Sequence, residues 1–150
     1  VAFSKPYMRS GQMLLVRSTE AGRYAEGIYS LMGNNPLIGT IENTTGDYFI
    51  TKTINRAHIE HFSTTRKAVQ ALIEGKIDVF VHDAPIISYM ATVAEGQKFV
   101  AIAQIASEEY LGWAVRKDNP QLLQAVNSFL DNNSENQLMK TTIKKWVPYL

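Results

Sequence analysis

Short β-rich runs alternating with stretches of helical period predict an α/β fold, a mostly parallel open sheet flanked by helices. Two further observations point the same way. Ile77, Val79, Phe80 and Val81 make an apolar run of the kind expected in a strand buried on both faces. At residues 37–49 (LIGTIENTTGDYF) and 78–85 (DVFVHDAP), an apolar run delivers hydroxyls or a carboxylate to a point where a helix begins. In open α/β sheets that edge is where ligands settle.

Residues 1–16 begin as the end of a strand already under way and continue as a connector. Pro6 forbids a central strand and Gly11 marks a bend before the alternating run 12–17. Tyr24, Ile28, Tyr29, Leu31 and Met32 give partial helical periodicity, weakened by Gly22 and Gly27. A short helix or a structured loop follows from that, closed by Gly33-Asn34-Asn35-Pro36. A strand at 37–41 leads into a short helix from Thr45 to Thr53, rich in β-branched residues and dependent on packing. A strand at 58–62 precedes a helix capped by Ser63-Thr64, with Ala68, Val69, Leu72 and Ile73 as its apolar stripe and Gly75 as its stop. The strand at 77–81 feeds a helix over 85–94 that Gly96 ends, and 99–105 and 111–115 are further strands. Asp118-Asn119-Pro120 opens a helix whose inner stripe is Leu122, Leu123, Val126, Phe129 and Leu130. A last helix opens with Ser134 and Gln137 in capping-box spacing, faces inward through Leu138, Met139, Ile143 and Trp146, and halts at Pro148.

The chain has 150 residues, a formal net charge of +1 and no cysteine. That length fits one domain, and interspersed charges give no case for nucleic acid or an anionic membrane surface. No apolar run approaches the roughly 20 residues that span a bilayer. Disulfides and thiol chemistry are excluded, which leaves the compartment open.

Thr44 and Thr45 offer hydroxyls beside the unpaired N–H groups of a helix start, a place for an anion. Asp83 offers an acceptor for an ammonium, and the two together fit a zwitterion. Thr and Asp are also preferred helix N-caps, so each has a purely structural alternative. His58 and His61 sit three apart on a strand, hence on opposite faces, and His82 has no second ligand nearby in sequence, so no metal site is expected. No nucleophile elbow and no glycine-rich phosphate loop occur, and no cofactor is implied. Trp113 and Trp146 read as core residues, whereas Tyr7 and Tyr48 flank bends and suit core or ligand stacking.

The strings FSKPYMRSGQMLLV, IGTIENTTGDYF, DVFVHDAP and YLGWAVRKDNPQLLQAVNSFL, with KKWVPYL at the end, resemble the family 3 extracellular solute-binding proteins. These are the periplasmic amino-acid receptors of ABC transporters. The resemblance implies the type II periplasmic-binding-protein fold, with two α/β lobes joined by two crossings and a ligand clamped between them. On that pattern residues 1–11 end the first lobe and approach the hinge, 12–107 form the second lobe, and 108–150 make the return hinge and the C-terminal part of the first lobe. Most of the first lobe, with the arginine that grips the ligand α-carboxylate, would precede Val1. Asn43, Thr44 and Thr45 fall where the family commonly has Gly-Thr-Thr or Gly-Thr-Gly, with Asn43 as the departure. Asp83 falls on the acid that binds the α-ammonium, and His82 beside it matches some amino-acid binders. The resemblance implies binding of an amino acid or similar small polar solute for uptake, an ABC permease as membrane partner, no membrane insertion of this chain, and a periplasmic or extracellular location. Two alternatives share the fold. One is the sensor portion of a larger membrane receptor or cell-wall enzyme, and the other a dehydratase, for which Glu42 is the candidate acid.

Overall fold

The computed structural model describes residues 1–93, 98–133 and 137–147, with the side chains of 137 and 138 excepted. Two sheets share the chain. The larger has five strands, β2 (Gln12–Arg17), β3 (Leu37–Ile41), β4 (His58–Phe62), β5 (Val79–Asp83) and β6 (Phe99–Ile102), in the order β4-β3-β5-β2-β6. The smaller is an antiparallel pair, β1 (Ala2–Ser10) with β7 (Glu109–Val115), whose register runs from Ala2 opposite Val115 to Ser10 opposite Glu109. Six helices follow in chain order: α1 (Ile28–Asn34), α2 (Thr45–Thr53), α3 (Thr65–Ile73), α4 (Ala84–Val93), α5 (Pro120–Asn133) and α6 (Gln137–Trp146). A 3-10 helix at Ser18–Tyr24 precedes α1.

β3 runs parallel to β4 and β5, while β2 lies antiparallel between β5 and β6. Four strands therefore point one way and β2 the other. The inversion follows from entry: β2 leaves the crossing at Gly11 beside the edge where the others end, so Gln12 pairs with Asp83, the last residue of β5. Inside the sheet the alternation of side chains fills both faces. Met13 and Leu15 of β2 join Phe80, Leu72, Ile87 and Phe99 on one side. Leu14 and Val16 join Val79, Val81, Ile38, Ile50 and Tyr24 on the other.

Local signals account for the helix ends. Thr64 Oγ1 caps α3 by accepting from Lys67 N at 3.3 Å, and Asn119 Oδ1 accepts from Leu122 N at 3.0 Å ahead of α5. Gly75 takes φ +69° just past α3, the conformation glycine adopts without strain. Arg17 Nη1 donates to Leu72 O and Ile77 O at 2.9 and 2.7 Å, tying the end of α3 to the approach to β5.

The structure departs from the sequence expectations in three places. Residues 2–10 form a strand rather than a connector, and the register with β7 shifts on both sides of Pro6. A two-stranded ribbon tolerates a proline because one edge of each strand carries no ladder. The stripe residues Ile73, Leu122 and Phe129 are exposed, and Ala71 takes the inward place in α3. Trp113 and Trp146 lie outside the core as well, with Trp113 packed between Tyr7 (5.8 Å) and Phe129 (6.0 Å) on the ribbon. The stops at Gly96 and Pro148 and the capping box opened by Ser134 lie outside the described residues.

The two sheets meet where Gly11 joins β1 to β2 and residues 103–108 join β6 to β7. Gln12 N donates to Ser107 Oγ at 2.9 Å, Ala106 N to Gln12 O at 2.8 Å, and Ala84 N to Gly11 O at 2.8 Å. A Cβ on Gly11 would collide with the Ser107 carbonyl oxygen and with the Ile105 side chain. Substitution Gly11→Ala forces this crossing apart, and overpacking of this kind costs about 1 to 3 kcal/mol. Urea denaturation of the variant should show a lower midpoint with an unchanged slope; equal midpoints would remove the steric argument.

Candidate functional site

The site lies at the edge where β3 and β5 end and α2 and α4 begin. Between β3 and α2 the chain must reverse, and Asn43 does so at φ +62°. Apart from glycine, asparagine is among the residues best able to take a left-handed conformation, which accounts for Asn at a position where the resembling family has Gly. Thr44 then caps α2: its Oγ1 accepts from Asp47 N at 3.4 Å and donates to Ile41 O at 2.7 Å. The Thr44 hydroxyl is thus engaged in holding the helix start. The N–H groups of Thr45 and Gly46, in the first turn, have no intrahelical acceptor.

Thr45 turns its hydroxyl the other way. Its Oγ1 accepts from Gln12 Nε2 at 3.1 Å and donates to Glu109 Oε2 at 3.3 Å. Gln12 Nε2 also donates to Asp83 Oδ1 at 2.8 Å and to Glu109 Oε1 at 2.9 Å. Ser107 Oγ adds a bond to Glu109 Oε1 at 2.8 Å. One fully buried amide therefore gathers the start of α2, the end of β5 and the start of β7. Gly46 makes room for it, since a Cβ there would stand 2.6 Å from Gln12 Oε1.

Asp83 is a half-exposed carboxylate rather than the cap of α4, whose first N–H, that of Ala84, bonds to Gly11 O. His82 Nδ1 is 2.7 Å from Asp83 N and 3.6 Å from Asp83 Oδ1. The neutral ring accepts from the N–H, and a protonated ring can present Nδ1–H to the carboxylate. The Asp83 carboxyl is held below the usual carboxylate range by His82 first, against the opposing effect of burial, with Gln12 and Thr45 adding to the lowering.

Of the residues singled out in the sequence, Thr45, His82 and Asp83 come together here. Asn43 and Thr44 shape the turn and the helix start that carry Thr45. Glu42 is exposed, and its backbone N–H bonds to Phe62 O at 3.1 Å. His61 lies apart from His58 and bonds through Nε2 to Asp47 Oδ1 at 2.8 Å. Among the described residues no group of three or more metal-binding side chains occurs. Tyr48 is exposed and stacks under Lys52 Nζ at 4.7 Å from its ring. Gln12 and Glu109 were not singled out. The available signal is a lone polar residue opening an otherwise apolar strand, and an acid between two strand runs.

Comparison with known proteins places this geometry in context. The sequence profile of bacterial extracellular solute-binding proteins, family 3, matches residues 1–149. An arginine-binding periplasmic protein of Mannheimia haemolytica is 24% identical over 152 residues, covering 98% of this chain and 59% of that protein. A solved binding component of an ABC transporter from Wolinella succinogenes, complexed with lysine, is 26% identical with a TM-score of 0.81, covering 98% of this chain and 63% of that one. The ancestral amino-acid-binding protein AncCDT-1, a precursor of cyclohexadienyl dehydratase, is 28% identical with a TM-score of 0.78, covering 98% and 61%. The chain spans about half to three-fifths of the length of the curated relatives it matches. No described helix is long and apolar enough to cross a membrane.

The depressed carboxyl of Asp83 ties stability to acid. A group whose folded pKa lies below its unfolded value stabilises the fold above the unfolded pKa, and that contribution is lost as pH falls through the folded value. Melting temperatures of the wild-type chain and Asp83→Asn should therefore converge as pH drops below about 4, near the ordinary aspartate value. A constant offset between the two across that range would show that Asp83 contributes no such linkage.

Proposed function

The chain belongs to the family 3 bacterial extracellular solute-binding proteins, and from that premise we propose that it binds a small polar solute, an amino acid above all, at the edge formed by Thr45, His82 and Asp83. The observation that carries the reading is the juxtaposition of Asp83 with the first turn of α2. A carboxylate faces the place for an ammonium, and the Thr45 and Gly46 N–H groups face the place for a carboxylate. The proteins it resembles are binding proteins, and among them are receptors for arginine and glutamine and a complex with lysine. Asn43 and Thr44 support the site by fixing the helix start, and His82 tunes Asp83.

Residues 12–107 would act as one lobe, with 1–11 and 108–150 belonging to the hinge and to a second lobe. A ligand touching both lobes stabilises the closed arrangement over the open one, and closure is the state a membrane permease reads during ABC-type uptake. That role places the chain outside the cytoplasmic membrane. Sensing within a larger receptor would use the same closure. Turnover of the dehydratase kind finds less support, because Glu42 points to no neighbour in the cluster and the relatives named for a function bind solutes.

Titration of the chain with single amino acids, followed by the backbone amide resonances of Thr45, Gly46 and Asp83, tests the reading. A binding amino acid should move these resonances in a saturable way. Asp83→Ala should weaken it by about 1.5 to 3 kcal/mol, the worth of a charge-assisted hydrogen bond, or roughly ten- to a hundredfold in Kd. Amide shifts that are absent with every amino acid, or a Kd unmoved by the substitution, would rule the reading out.

A further inference from the structure

We infer that Glu109 is a second carboxylate for the ligand's cation, and that it makes the site select solutes by net charge, favouring cationic amino acids over acidic ones. The inference rests on the binding site proposed above and assigns a specificity role to a residue on the far side of the crossing.

The local count of donors and acceptors carries it. Gln12 Nε2 has two hydrogens, yet three acceptors stand within 3.1 Å of it: Thr45 Oγ1, Asp83 Oδ1 and Glu109 Oε1. Gln12 is fully buried, and its Oε1, against Gly46, has no donor among the described residues. The cluster therefore holds more acceptors than donors, the reverse of what a self-contained structural network requires. An ammonium supplies three N–H donors at one atom for the Asp83 and Glu109 oxygens that share Gln12 Nε2.

Charge gives the same answer. Asp83 and Glu109 converge on one neutral amide, and the groups facing them are His82, Thr45 and Ser107. Among the described residues neither carboxylate has a lysine or arginine ion pair. Glu108, next in sequence, does have one, with Arg9 at 3.4 Å. Two carboxylates, Asp83 and Glu109, are thus presented to a bound solute, with the His82 ring beside Asp83. The attraction grows with the positive charge of the ligand and opposes a second ligand carboxylate.

The relatives do not decide this point, since they include receptors for arginine, glutamine and glutamate. The test is a titration of the chain with lysine, glutamine and glutamate at low ionic strength, read from the amide resonances of Thr45 and Gly46, in wild type and in E109Q. Wild type should bind in the order lysine, glutamine, glutamate. In E109Q lysine should weaken at least fivefold, while glutamate weakens less or gains, so that the ratio of the two affinities contracts. A Glu109 that served only the fold would weaken all three alike, and that outcome, or unchanged affinities, overturns the inference while leaving the Asp83 reading intact. Should E109Q fail to fold, the wild-type order decides alone: glutamate bound as tightly as lysine overturns it. Absence of binding by any amino acid removes the inference together with the reading beneath it.

Discussion

The side-chain amide of Gln12 holds three distant parts of the chain at one point, and the site exists because of that bond set. Asp83 comes from the end of β5, Thr45 from the start of α2 and Glu109 from the start of β7, and each is bonded to the same nitrogen. Hydrogen bonds to charged groups contribute about 1.5 to 3 kcal/mol, more than most neutral ones. Without the amide, the Asp83 and Glu109 carboxylates would lose the donor they share. The inversion of β2 makes this possible. Only a strand entering at the edge where its neighbours end can set its first residue against their last.

Much of this was legible from residue order, and the limits of that legibility have physical causes. The two strand-to-helix junctions stood out because their signals are local: an apolar run, a polar turn and a helix start within a dozen residues. Those signals single out Asp83 and Thr45, which the structure brings together through Gln12. Choosing between Thr44 and Thr45 was not possible from sequence, since a shift of one residue decides which hydroxyl caps the helix and which turns away. Gln12 and Glu109 are 97 residues apart and meet only through the crossing, so no window along the chain contains both. The expectation that Trp113 and Trp146 belong to the core failed for a different reason. Aromatic size argues for burial, but Trp113 stands on the two-stranded ribbon of β1 and β7 and Trp146 at the end of α6, both open to solvent.

The same residues link binding to movement on the proposed reading. Gln12 begins β2 directly after the first crossing, Glu109 begins β7 directly after the second, and Ser107 bonds to both. A ligand that reorders the bonds of this cluster acts on the two segments about which lobes of this family are expected to turn. No separate relay is needed between site and hinge, because the cluster belongs to each. The close approach at Gly11 serves this economy, since the two crossings meet where a Cβ would strike the Ser107 carbonyl.

The position of β2 also has a consequence for how the polypeptide reaches its native state. Residues 12–17 are synthesised before their ladder partners, residues 79–83 and 99–102. Met13, Leu14, Leu15 and Val16 have no exposed surface in the native chain, so this two-faced apolar strand stays unpaired until β5 and β6 are available. Such long-range pairing slows folding and lengthens the exposure of an aggregation-prone edge. The feature that assembles the Gln12 cluster is thereby also a long-range pairing that folding must complete.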